Sequence, residues 1–309
     1  MVLSQAPFAR KRAPTKSHAI ARVSALAARN LRAQPARITT MRRTLPFIAA
    51  LATLPAFAQS PTAPVPEWSE PAAPHVIYGN TYQVGTKGLS SILITSPQGH
   101  ILIDGTWTQN APLIEANIRK LGFRVEDIKL ILNSHAHHDH AGAIGQLAKD
   151  SGATVRATAA GAKAMRLGGQ DPDDPQYTPG SKDAYPVFPV TGDITDGKVV
   201  TVGPLKLTAH ITPGHTPGGT AWTWDACEGS TCKHIAYADS LFAFSSGTYR
   251  YSDHPAYVAA YWKTFDRVAA LPCDILVTPH PEQGEGETCK SYAQAGRDRL
   301  KEKLKEEAR

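Results

Sequence analysis

The sequence predicts a layered α/β fold. Ten short runs rich in apolar and β-branched residues have the length of strands, and five longer segments repeat their apolar residues at helical spacing. Strand runs come first and mixed strands and helices follow, which points to packed layers. Of the 309 residues 42% are hydrophobic, enough for a sizeable core in one or two domains, and 24 Gly with 24 Pro exclude a collagen-like or low-complexity chain. Pattern alone does not order the strands.

Taken in chain order, strands are expected near 76–83, 91–96 and 100–104, the last ending at Asp104-Gly105. A helix over 110–122 places Leu113, Ile114, Ile118 and Leu121 on one face. Leu130-Ile131-Leu132 marks a buried strand over 129–133. A helix over 140–150, a strand over 153–157 and a helix over 158–167 follow. Residues 168–197 hold Gly, Pro and Asp clusters with little periodicity, and are expected to form a long surface loop bordering a site. Further strands fall near 199–202, 205–212, 219–225, 233–238 and 274–278, with helices over 254–270 and 288–307. The last helix carries charges from Arg297 to Arg309 and reads as a solvated face.

The net charge of +6 suggests a nucleic-acid or anionic-membrane partner only until its distribution is read. Residues 1–58 hold ten Lys and Arg and no acid, leaving 23 basic against 27 acidic residues in 59–309, a balance of −4. Within that leader, Met41-Arg42-Arg43, the apolar stretch from Leu45 to Leu54 and Ala56-Phe57-Ala58 read as a signal peptide over 41–58, cleaved before Gln59. The apolar run is too short for a permanent anchor. Residues 1–40 are either an upstream stretch preceding a start at Met41 or a long extension of the leader. Residues 59–74, rich in Pro, are expected to be an extended lead-in, and 75–309 a single domain. Export to the periplasm favours disulfides, and the sequence-local pairs are Cys227–Cys232 and Cys273–Cys289, against a structural zinc on the same cysteines.

The strongest chemical signal is Asn133-Ser134-His135-Ala136-His137-His138-Asp139-His140-Ala141-Gly142. It lies between a strand and a helix, where side chains project into a cleft. Imidazole and carboxylate are ligands for zinc and similar ions. His135 and His137, two residues apart, suit one metal, and Asp139 with His140 suits a second. His215 in Thr212-Pro213-Gly214-His215-Thr216-Pro217-Gly218 and His280 in Thr278-Pro279-His280-Pro281 also follow strands, so they are candidate ligands. Asp104 reads either as a partner that orients a ligand or as a turn-capping residue.

This constellation resembles the metallo-β-lactamase superfamily, over roughly residues 75–305. The resemblance implies a four-layer αββα sandwich with two zinc ions at one edge. It assigns His135, His137 and His215 to the first ion and Asp139, His140 and His280 to the second, and gives His138 no ligand role. Ala238-Asp239-Ser240-Leu241 has no Cys ligand, so the chain looks most like class B β-lactamases of the third subclass. That implies a small-molecule β-lactam substrate (penicillin, cephalosporin or carbapenem) opened by a metal-bound hydroxide. Asp139 would orient the nucleophile and Ser240 would bind the substrate carboxylate. The subclass often has a second serine where this chain has Phe242, which leaves the carboxylate site to Ser240 with Ser245, Ser246 or Arg250. Trp107 is a candidate apolar wall. In thioesterase and lactonase relatives an Asp of this stretch bridges the metals, so Asp239 carries the rival reading. A metal-binding protein without turnover is a second class of explanation. No nucleic-acid partner is expected of the acidic exported part, no membrane contact is expected after signal removal, and a monomer is expected.

Overall fold

The computed structural model of the protein describes residues 66–309. The basic stretch 1–40, the signal peptide expected at 41–58 and the start of the lead-in lie outside the described residues.

Alternation along the strands builds two sheets. The first has seven strands in sequence order: β1 (His75–Tyr78), β2 (Thr81–Gln83), β3 (Ile92–Ile94), β4 (His100–Ile103), β5 (Ile128–Leu132), β6 (Thr154–Thr158) and β7 (Thr191–Ile194). Strands β1 to β4 are antiparallel, and β4 to β7 run parallel. The second sheet has the order β12-β11-β10-β9-β8. Its strands are β8 (Val199–Val202), β9 (Leu205–Ile211), β10 (Thr220–Glu228), β11 (Thr231–Tyr237) and β12 (Ile275–Val277).

Ile101, Ile103, Leu130 and Leu132 face the second sheet and meet Leu207, Trp222 and Tyr237. Their neighbours Leu102 and Ile131 turn to the other face, as a period of two requires. There they pack under α1 (Ala111–Lys120), α3 (Ile144–Ser151) and α4 (Ala159–Arg166), which contribute Ile114, Ile118, Leu147 and Ala162. On the far side α5 (Pro255–Ala269) and α7 (Cys289–Glu307) bury Tyr261, Phe265, Tyr292 and Leu300 in a third core. Three cores between four layers give the expected αββα sandwich.

Some elements differ from the pattern reading. The run 76–83 is two strands, because Gly79-Asn80 turns the chain back into a hairpin. The helix expected over 140–150 is two pieces, α2 (His138–Ala141) and α3. Strand β7 lies inside the segment expected to be loop. It is an edge strand with only Ile194 buried, so it carries no apolar signature and is held by backbone pairing to β6. Part of the lead-in is not extended: Pro66–Ser69 forms a 3-10 turn, pinned where Thr86 Oγ1 and Asn110 Nδ2 donate to the Trp68 carbonyl. A short α6 (Pro281–Gly284) also escaped the pattern.

Both local disulfides are present, Cys227–Cys232 across the β10–β11 tip and Cys273–Cys289 joining the approach to β12 with the start of α7. The second closes a loop of 16 residues, a span for which chain entropy gives about 3 kcal/mol. Thiol titration of the denatured, unreduced protein is expected to find no reactive thiol; four would overturn the pairing.

Candidate metal centre

Strands β9, β11 and β12 run in one direction, as do β4 and β5, and the loops after their C-terminal ends converge at one edge of the sandwich. Asp104 follows β4, the His-rich turn follows β5, His215 follows β9, Asp239 and Ser240 follow β11, and His280 follows β12. The two sheets are stitched at this edge: Thr220 N donates to the Ser134 carbonyl, Trp222 Nε1 to the Asn133 carbonyl, and Ser90 N to the Pro279 carbonyl. Close approach requires glycine at this edge. A Cβ at Gly214 would lie 1.9 Å from the Tyr261 ring, and one at Gly219 would lie 2.5 Å from Asp239 Oδ2.

Donor atoms of His135, His137 and His215 lie within 4.8 Å of one another. Each ring has its outer nitrogen held by another group. His135 Nδ1 is 2.7 Å from Asp239 Oδ1, His137 Nε2 is 3.1 Å from both oxygens of Asp174, and His215 Nδ1 is 2.7 Å from the Phe242 carbonyl. Carboxylate and carbonyl oxygens accept N–H, so these contacts fix the tautomers and leave His135 Nε2, His137 Nδ1 and His215 Nε2 with lone pairs. His135 Nε2 is buried without a partner. Burial, then the neighbouring imidazoles, holds the His135 pKa well below its usual range, and the same causes bring His215 down to about 3. Burial also acts to lower His137, but the Asp174 carboxylate outweighs it and the net shift is upward.

A second cluster sits beside the first. Asp139 Oδ2 is 3.1 Å from His140 Nε2 and 3.3 Å from His280 Nε2, and those two nitrogens are 3.2 Å apart. Donor atoms about 2.0–2.1 Å from a tetrahedral zinc lie about 3.4 Å apart, so this triangle has the size of one face of such a site. His135 shares a 4.8 Å grouping with Asp139 and His140, but its single free nitrogen can serve one ion, and His280 closes the triangle at shorter range. Burial acts to raise the Asp139 pKa, but His140 and His280 outweigh it and hold the carboxyl ionised well below its usual range. The donor types, the orphaned nitrogen and the spacing all fit a pair of metal ions.

Asp104 lies directly behind this turn. Its carboxylate accepts from Asn133 Nδ2, Ser134 N, Ser134 Oγ and Tyr237 OH, and its Oδ2 lies 3.8 Å from His140 Nδ1. It takes a φ of +63°, a strained value for a residue other than Gly. His138 points elsewhere, stacked on Trp107 with ring centroids 5.2 Å apart and bonded to Thr108 Oγ1.

The two clusters open into a cavity of about 900 Å³. Trp68 and Trp107 meet edge to face at one wall, and Trp68 also lies against the His280 ring. Ser240 lines the cavity, its Oγ buried and unpartnered, whereas Asp239 lies behind His135 with Oδ2 against Gly219. Phe242 is nearly buried under the Arg299 guanidinium, which sits 3.7 Å from its ring centroid. Ser246 lines the cavity, while Arg250 is engaged by the Glu307 carbonyl at the end of α7. Pattern reading missed Asp174, Gln176, Lys182 and Trp68. The first three sit in aperiodic loop with no cue but polarity, and Trp68 in Pro-rich chain.

The family described as the Metallo-beta-lactamase superfamily matches residues 85–280. Among solved structures, the chain is similar to the metallo-beta-lactamase MIM-1 from Novosphingobium pentaromativorans, at 46% identity and a TM-score of 0.74, over 78% of this chain and 93% of that one. MEM-A1, a subclass B3 metallo-beta-lactamase from a soil metagenome library, is 45% identical with a TM-score of 0.72, over 78% of this chain and 98% of its own. Curated relatives are more distant. A hydroxyacylglutathione hydrolase of Anaeromyxobacter dehalogenans (strain 2CP-C) is 30% identical over 129 residues, 42% of this chain and 39% of that protein. The N-acyl homoserine lactonase AttM of Agrobacterium fabrum is 30% identical over 161 residues, 41% of this chain and 55% of that protein. The chain thus spans about half or less of the length of these curated relatives.

Proposed function

The chain belongs to the metallo-beta-lactamase superfamily, and from that premise we propose that it is an exported di-zinc β-lactamase of the B3 type. The observation that carries this reading is the division of labour between Asp239 and Ser240. Asp239 Oδ1 is 2.7 Å from His135 Nδ1, on the side of the ring away from its free nitrogen, so this oxygen orients a ligand, while Oδ2 is buried beside Gly219 without a partner. Ser240 borders the cavity instead, with its Oγ covered and unpartnered. A bridging role for Asp239, on which the thioesterase and lactonase alternative rests, would require the opposite. The two disulfides and the leader read from the sequence support export.

Two zinc ions would supply Lewis acidity toward a substrate carbonyl and would lower the pKa of water at the site to about 7. His135 Nε2, His137 Nδ1 and His215 Nε2 would hold one ion, and Asp139 Oδ2, His140 Nε2 and His280 Nε2 the other. Asp139 contributes a full negative charge between two imidazoles, which balances part of the cationic charge. Trp68 and Trp107 form an apolar wall of the cavity, against which substituents on the drug would pack. Ser240 Oγ is buried and unpartnered at the edge of the cavity, so a side-chain or loop shift on binding would bring its unused donor to the substrate carboxylate. Phe242 offers no side-chain hydrogen bond, and Arg250 is engaged elsewhere. Lys182 is the one Lys or Arg among the described lining residues, so it is the candidate cationic partner for that carboxylate.

The test is a hydrolysis panel on the purified mature protein, comparing a carbapenem, a cephalosporin, an acyl-homoserine lactone and S-lactoylglutathione. Turnover of both lactams and none above background for the other two is expected. A preference for the lactone or the thioester would move the assignment to those relatives, and no turnover on any of them would favour a metal-binding protein without catalysis.

A further inference from the structure

We propose that Asp174 is a positioning residue for His137 that couples the order of the pocket-lining segment 168–188 to metal binding. The inference rests on the metal-ligand reading above and goes beyond it by assigning a carboxylate from outside the His-rich turn.

Asp174 is 6% exposed and lies 37 positions from the ring it contacts. Both of its oxygens are 3.1 Å from His137 Nε2, so the Nε2–H is shared between them and Nδ1 is left for a metal. Local bonds hold the carboxylate in place. Asp174 N donates to the Asp171 carbonyl, Gln176 N donates to Asp174 Oδ1, and Tyr177 N donates to the Asp174 carbonyl. Asp171 is itself anchored to α4 by Lys163 Nζ at 2.7 Å.

The same segment grips the turn a second time. Tyr185 OH donates to the Ala136 carbonyl at 2.7 Å, one residue from His137. Between these two grips the chain supplies Tyr177, Thr178, Ser181 and Lys182 to the cavity. A metal drawing on His137 Nδ1 strengthens the N–H donated from Nε2, and that N–H ends on the segment. Coupling of this kind is reciprocal: whatever the ordered segment adds to metal affinity, bound metal adds to the order of the segment.

The experiment uses the mature protein and its Asp174→Ala and Asp174→Asn variants, with zinc and cobalt(II) as probes and no substrate. Competition against a chromophoric chelator is expected to show one metal equivalent bound about 10–100-fold more weakly by Asp174→Ala. The cobalt(II) visible spectrum should change in that variant, since His137 loses its fixed orientation. Hydrogen exchange over 176–186 should slow on zinc addition in the wild type and respond less in Asp174→Ala. Asp174→Asn keeps an acceptor oxygen and the side-chain shape, so it should recover part of the affinity and the spectrum; it also carries the test if the Ala variant does not fold. A wild type that binds zinc, beside variants with the same affinity, spectrum and exchange response, overturns this inference alone. A wild type that takes up no zinc overturns the metal-ligand reading and this inference with it.

Discussion

Replacing His137 or His280 by Ala is expected to lower β-lactam hydrolysis by more than the roughly 10–100-fold that loss of an outer partner costs. Each variant removes a candidate ligand from a set that has no spare. His137 belongs to a grouping of three donors, and His280 is one corner of a triangle whose edges are 3.1, 3.2 and 3.3 Å. The vacated corner cannot be refilled by His138, whose ring is stacked on Trp107 and bonded to Thr108. Dialysis of the wild type against a chelator should abolish turnover, and zinc should restore it. Acid should act in the same direction. Neutral imidazole is the ligating form, so protons compete with metal as the pH falls, first at His137 and His280, where burial is outweighed by neighbouring carboxylates that raise the pKa, and last at His135 and His215, which burial lowers; zinc should be released into a chromophoric indicator as the pH is taken down. Full activity after dialysis, or near-wild-type rates in both variants, would remove these residues from the ligand set.

The parts of this site that could be read from sequence are those whose chemistry is contiguous. Six residues from His135 to His140 hold most of the candidate ligands, and a strand-to-helix turn is legible from the apolar run before it. His215 and His280 were visible because each follows a strand within a Pro/Gly turn. Asp174 was not. Its significance lies in a contact across 37 residues, made by an aperiodic segment, and neither composition nor spacing encodes that distance. The choice between Asp239 and Ser240 was undecidable for a related reason: adjacent residues point to opposite sides, and sequence does not say which side faces the cavity. The same logic governs the fold. Strands buried on both faces, such as Leu130-Ile131-Leu132, announce themselves by continuous apolar character. The edge strand β7, Thr191–Ile194, is defined by backbone bonds that no side chain advertises.

Asp104→Ala is expected to destabilise the protein by at least about 3 kcal/mol and to weaken metal binding at the same time. The variant deprives Asn133 Nδ2, Ser134 N, Ser134 Oγ and Tyr237 OH of a common acceptor in a region closed to solvent. Each donor left buried and unpaired costs about 1–3 kcal/mol, and relaxation can rescue some but not all of four. The backbone adds to this. Asp104 sits at φ +63°, where Asp is tolerated better than most residues because its side chain can bond locally, and Ala brings no such compensation. For a domain of this size 1 kcal/mol shifts Tm by about 2–4 °C, so a fall of at least about 6 °C is expected in a thermal melt of the metal-free protein. Metal affinity follows because the carboxylate fixes Ser134, next to His135, and lies 3.8 Å from His140 Nδ1. Asp104→Asn separates shape from charge. It keeps one acceptor oxygen for Ser134 N, and the Ser134 and Tyr237 hydroxyls can rotate to accept from the new amide. Its loss of Tm should therefore be smaller than that of Asp104→Ala, while the altered field behind His140 should still be read in metal affinity. Equal Tm for all three proteins would mean that the turn carrying the metal ligands holds its shape without Asp104.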